Sequence, residues 1–106
     1  MNYDWEGIWE QAWKLKSSLA ELKEKLAENT LVITAGENEV KIVINGIQEV
    51  IQVELKPEII DPAKKQRLQM LLQRAINQSI ARSREMAGKQ VADLTGFDPG
   101  ILDNLF

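Results

Sequence analysis

VKIVINGIQEVIQVELKPEIIDP, residues 40–62, decides how the rest of the chain is read. Val40, Ile42 and Ile44 alternate with polar or smaller neighbours, as do Ile51, Val53 and Leu55 further on. That period of two marks half-buried strands over 39–44 and 49–56. Between them stands Asn45-Gly46, the commonest hairpin dipeptide, since both residues tolerate positive φ. Loops of two and four residues both fit the spacing, and they place Val50 on opposite faces of the sheet. Upstream, TLVITA (30–35) supplies a third short strand, so the centre of the chain predicts a small antiparallel meander. Downstream, Pro57-Glu58-Ile59-Ile60 forms a linker or short turn, and Asp61-Pro62 pairs an N-cap with a first helical residue.

Helical patterns flank the meander. Trp5, Ile8, Ala12, Leu15, Leu19, Leu22 and Leu26 step by three and four in turn, an a/d heptad seam. It predicts a helix over 4–28 with Asp4 as cap, and a seam that narrow points to a second helix as its partner. After Pro62, Leu68, Leu71, Leu72, Ala75, Ile76, Ile80, Met86 and Ala87 form one helical face. Gly88 is an interior blemish or a local break, and Thr95-Gly96 ends the helix. The division is a single domain over 1–96 followed by a tail, 97–106. The fold class is α+β, an α-β-β-β-α subunit.

At ~1.5 Å per residue, helices of about 25 and 30 residues span roughly 37 and 45 Å, against about 23 Å for strands of seven residues. The sheet covers neither helix from end to end. With both helices packed antiparallel on one meander, the start of the first projects beside the end of the second. An apolar seam and an open sheet face both call for a partner, and a second copy supplies it. A tight homodimer with projecting helical arms is therefore expected.

Composition narrows the chemistry. The 106 residues include no His and no Cys, which removes the usual neutral-pH base, thiolate metal sites and cysteine nucleophiles. There is no Gly-rich phosphate loop, and the expectation is a protein that is not an enzyme and needs no cofactor or metal. Glu37 and Glu39, flanking Asn38, form a polar turn. MNYDWEGIWE at the start lacks the basic and apolar regions of a signal peptide. No run approaches a membrane span, so the chain is expected to be soluble and cytoplasmic.

Charge is the remaining signal. The net charge is −3, yet residues 63–84 carry six cations and no acid. Over 62–95 seven bases face two acids, a surplus of +5, which leaves −8 for the rest. On a helical wheel Lys64, Arg67, Arg74, Arg82 and Lys89 fall within a sector of about 80°, with Arg84 on the opposite flank and Lys65 in the first turn. Such a stripe suits phosphates. A solvated helix face, or pairing with acids such as Glu21, Glu24 and Glu28 of a neighbouring helix, are the alternatives.

Beyond these patterns, the chain resembles the YbaB/EbfC family of bacterial nucleoid-associated proteins. Ile42, Ile44, Asn45, Gly46, Glu49, Val50, Val53 and Leu55 match a V-x-V-N-G-x-x-E-V-x-x-V-x-I core. Lys56, Pro57, Ile59, Ile60, Asp61 and Pro62 match the segment that follows, Leu94-Thr95-Gly96 the closing L-T-G, and Pro99-Gly100 a later P-G. It departs from the pattern at 35–39, where a Gly-rich stretch is usual, at Asp93, and at the acidic, Trp-bearing start of helix one. The resemblance implies the same subunit, a tweezer-like dimer, and binding of duplex DNA in the nucleoid with broad sequence tolerance.

The DNA contacts expected are Lys14 and Lys16 on the first helix with Arg67, Arg74, Arg82, Arg84 and Lys89 on the second. Trp5, Ile8, Trp9, Ala12, Trp13, Leu15 and Leu19 are assigned to a dimer or partner interface. Trp5, Trp9 and Trp13 form a drifting stripe that is either dimer core or a docking surface for a protein partner. The acids around them disfavour base stacking, and no membrane contact is expected.

Overall fold

The computed structural model describes residues 5–95, and it is the expected α-β-β-β-α subunit. Helix α1 (Trp5–Glu28) leads into strands β1 (Thr30–Ala35), β2 (Val40–Asn45) and β3 (Val50–Leu55). Single 3-10 turns at Pro57–Ile59 and Pro62–Lys64 then deliver the chain to α2 (Lys65–Thr95). The capping role given to Asp4 and the tail 97–106 lie outside the described residues. Gly88 does not break α2, which runs through it buried.

The strands pair antiparallel in the order β1-β2-β3. Their inner face presents Ile33, Ala35, Val40, Ile42 and Ile44, against which α2 lays Leu71 and Ala75. Burial of each large aliphatic side chain is worth about 1.5–3 kcal/mol. Along α2 the buried positions continue through Ser79, Ser83 and Ala87, a step of four from Leu71. Small residues there let the helix approach the sheet closely. The apolar-face reading passed over both serines, whose hydroxyls are satisfied by the carbonyls of Ile76 (2.8 Å) and Asn45 (2.6 Å). Ile76, expected in the core, is instead 46% exposed. The segment read as a linker or short turn forms the 3-10 turn Pro57–Ile59, and its Ile59 is fully buried at the end of the core.

The β2–β3 hairpin differs from the two- and four-residue alternatives. Asn45 N–H donates to Glu49 O (3.0 Å), which closes a loop of three residues, 46–48. The residue with positive φ is Gln48 (+62°), the left-handed position of a three-residue loop. Asn45 stays in the strand and accepts on Oδ1 from Ile47 N–H (3.1 Å) and Glu49 N–H (2.9 Å). Gly46 is needed for proximity: its N–H donates to Leu26 O at 2.8 Å, and a Cβ would stand 2.8 Å from that same oxygen. The hairpin therefore docks the last turn of α1. Beyond the loop Ile44 pairs with Val50 but Val43 with Gln52, so Ile51 is an extra, bulged residue.

Two apolar surfaces stay uncovered in the single chain. From Trp5 to Glu21 every residue of α1 except Gly7 is exposed, and Leu26 is the buried anchor of the helix. The molecule is accordingly 74 Å long and 23 × 20 Å across. The sheet expectation is corrected here, since among the described residues α1 docks through Leu26 near its carboxyl end instead of lying along the meander. In addition α2 covers β1 and β2 but leaves Val50, Ile51 and Val53 of β3 more than half exposed.

Entry into α2 follows the sequence signal. Asp61 Oδ1 accepts from Ala63 N–H at 2.9 Å, with Pro62 directly after it. Asp61→Ala is expected to remove about 1 kcal/mol of stability, read as a lower urea midpoint with an unchanged slope.

Candidate nucleic-acid interface

Arg67, Arg74, Arg82 and Lys89 are spaced by seven, eight and seven residues, so they recur on one side of α2 every two turns. All four residues are exposed. Arg82 and Lys89 border a shallow depression with Leu31, Glu85 and Met86, on the β1 side. Arg84, also exposed, lies on the other flank beside Leu26, Gly46, Ile47, Gln48, Ala87 and Val91. The bases thus straddle α2, which matches the two-flank placement of the wheel.

They differ in what holds them. Arg67 grips Glu39: Nε donates to Oε2 at 3.0 Å while Nη2 donates to Oε1. Lys89 meets Glu85 one turn away at 3.6 Å, an exposed pair of small worth. Among the described residues no carboxylate lies within 4.0 Å of Arg74, Arg82 or Arg84. Within the single chain, among the described residues, Glu21, Glu24 and Glu28 do not pair with the stripe; besides Glu85, the acid that reaches it is Glu39, from the β1–β2 turn. No sequence period links position 39 to 67, so this pair was invisible until the turn was placed over the start of α2.

The Arg67 guanidinium, helped by the Glu37 N–H, holds the Glu39 carboxyl at about 2, below its ordinary 4.5. The shift is downward in the folded state, so its stabilisation is complete above the ordinary value and is lost as pH falls towards 2. Near neutrality the pair is permanently charged. Arg67 is correspondingly raised by the same bond.

Lys14 and Lys16 are exposed on the projecting part of α1, about 15–18 Å along the helix from Leu26. Lys16 Nζ stands 5.3 Å from the Trp13 ring centroid. Within one protomer they do not join the α2 row. Trp5, Trp9, Trp13, Ile8, Leu15 and Leu19 are each at least half exposed, and Ala12 is exposed between them. Among the described residues no cluster of three His, Cys, Asp or Glu could hold a metal ion, and no helix is long and apolar enough to cross a membrane.

An extended subunit with a long helix bearing unpaired guanidinium groups suits a polyanion. Comparison with known proteins gives the class. The profile of the YbaB/EbfC DNA-binding family matches residues 1–97, and the chain belongs to that family. It is 39% identical to a nucleoid-associated protein of Desulforamulus reducens, and 34% identical to one of Pelotomaculum thermopropionicum, each over 81% of this chain and 82% of the relative. A crystal structure of an uncharacterized protein from Helicobacter pylori shares the fold, with a TM-score of 0.75 at 17% identity, over 88% of this chain and 98% of that one.

Proposed function

We propose that this protein acts in the cytoplasm as a homodimer that coats duplex DNA of the nucleoid, contacting phosphates with little regard to sequence. The observation that carries this reading is the exposure of Arg74 and Arg82 on one side of α2, with no carboxylate beside them among the described residues. Exposed guanidinium groups on a rigid helix bind phosphate oxygens well and carry no direct base readout. Membership of a DNA-binding family supplies the polymer.

Dimerisation is supported by the two uncovered apolar surfaces, the α1 seam and the β3 edge. Both belong to the same chain, so a second copy can cover them together. Pairing of two copies also brings further bases, Lys14 and Lys16 included, into one assembly. Sedimentation equilibrium at micromolar concentration should return twice the 12.0 kDa chain mass. Unlabelled duplexes of unrelated sequence should displace a labelled one at equal concentrations. A monomer, or a strong preference for one duplex, would overturn the corresponding half of the reading.

A further inference from the structure

The cations along α2 divide into two groups. Near its start Arg67 donates to both oxygens of Glu39, and ahead of the helix Lys56 Nζ donates to Glu37 O (2.9 Å) and Lys64 Nζ to Glu58 O (3.1 Å). Among the described residues, those from Arg74 onward are not so held, apart from the weak Lys89–Glu85 pair.

The Arg67–Glu39 contact is of another grade from an ordinary surface pair. Two N–H groups of one guanidinium meet two oxygens of one carboxylate, the geometry in which such bonds are strongest. The carboxylate is fixed in its turn. Its side chain is only 16% exposed, and Oε1 also accepts from Glu37 N–H at 3.3 Å. The tight turn around it holds Gly36 at φ +66° and Asn38 at +59°. Arg67 itself is 46% exposed, so it stands in the row but with its Nε–Nη2 edge occupied.

We infer that Glu39 limits the DNA affinity of this protein by holding Arg67 away from phosphate, so that the working contact surface of α2 runs from Arg74 to Lys89. This rests on the phosphate-binding reading above and adds a residue that sets its strength. A phosphate that takes the Nε–Nη2 edge of Arg67 must displace Glu39, and one that approaches the remaining N–H groups meets a guanidinium whose charge Glu39 already offsets, whereas Arg74 and Arg82 need no such exchange.

The test is a double-mutant cycle read by fluorescence anisotropy on a labelled duplex. Glu39→Gln keeps the shape and can still accept from Glu37 N–H, but removes the charge. It should tighten binding by about eightfold for each Arg67 recruited at 0.1 M salt, and steepen the salt dependence by about 0.9 per contact. Arg67→Gln in the otherwise natural chain should change affinity less than about twofold, well under the loss of a working phosphate contact. Placed in the Glu39→Gln background, it should abolish the gain. The inference is overturned if Glu39→Gln binds no tighter, or if its gain survives without Arg67, since the acid would then act by simple repulsion. It is also overturned if Arg67→Gln alone weakens binding as a lost contact does, an outcome that needs only the single variant to fold. Failure of the natural chain and the variants alike to bind at low salt would sink the DNA reading itself. A natural chain that binds with an unchanged Glu39→Gln sinks only the role of Glu39.

Discussion

Arg74→Glu with Arg82→Glu is expected to lower affinity for duplex DNA by at least about 60-fold at 0.1 M salt for each protomer engaged. Two phosphate contacts are lost per protomer, and each contributes about 0.9 to the slope of log K against log salt, or roughly eightfold across one decade. Reversal adds repulsion to that loss. Both side chains are exposed and carry no ion pair among the described residues, so the fold should not suffer. Surface changes of this kind usually stay within about 0.5 kcal/mol of stability. The circular dichroism spectrum and sedimentation of the variant should therefore match the natural chain. Unchanged DNA binding would remove α2 from the interface.

Gly46→Ala should have the largest effect on the fold. Its new methyl group would meet the Leu26 backbone at 2.8 Å from the carbonyl oxygen and 3.2 Å from Cα, and backbone cannot turn aside as a side chain can. The same displacement weakens the Gly46 N–H bonds to Leu26 O (2.8 Å) and Asn29 O (3.1 Å). Overpacking of this kind costs about 1–3 kcal/mol, visible as a reduced urea midpoint. Its structural consequence falls on α1, which is anchored here through Leu26. Gln48→Gly is the counterpart: it relieves the left-handed residue and should stabilise by less than about 1 kcal/mol. A two-residue Asn-Gly turn predicts that Gly46 matters for its φ and that Gln48 does not matter. Both turns make Gly46→Ala costly, so the result that distinguishes them is stabilisation by Gln48→Gly.

Much of this was legible in the sequence, for reasons of periodicity. The strands alternate with period two and the α1 seam repeats by heptads, so element type and order follow directly. Asp61-Pro62 announced the start of α2 because capping depends on adjacent residues. What could not be read depends on residues far apart in the chain. The hairpin loop is docked through Gly46 on Leu26, a residue in another element that lies outside the strands' own pattern. Ser79 and Ser83 are polar by type, yet buried because their hydroxyls find carbonyls. Ile59 sits between two prolines in a segment that reads as linker or short turn, with nothing local to announce its burial. At the site, the spacing of Arg74, Arg82 and Lys89 was visible on a wheel, while the capture of Arg67 by Glu39 required the β1–β2 turn to be placed above α2. The Trp stripe is visible from its spacing, and the structure adds that Trp5, Trp9 and Trp13 are each more than half exposed on α1.

The measurement that tests the central claim most directly is the salt dependence of binding to a duplex of about 30 base pairs. Anisotropy should be followed from about 20 to 200 mM salt, with an unrelated duplex alongside. Four guanidinium contacts per dimer, Arg74 and Arg82 from each protomer, predict a slope of log K against log salt near −3.6, steeper if Arg84 and Lys89 join them. The two duplexes should give the same line. A flat salt dependence, or no binding at the lowest salt, would contradict phosphate recognition by α2.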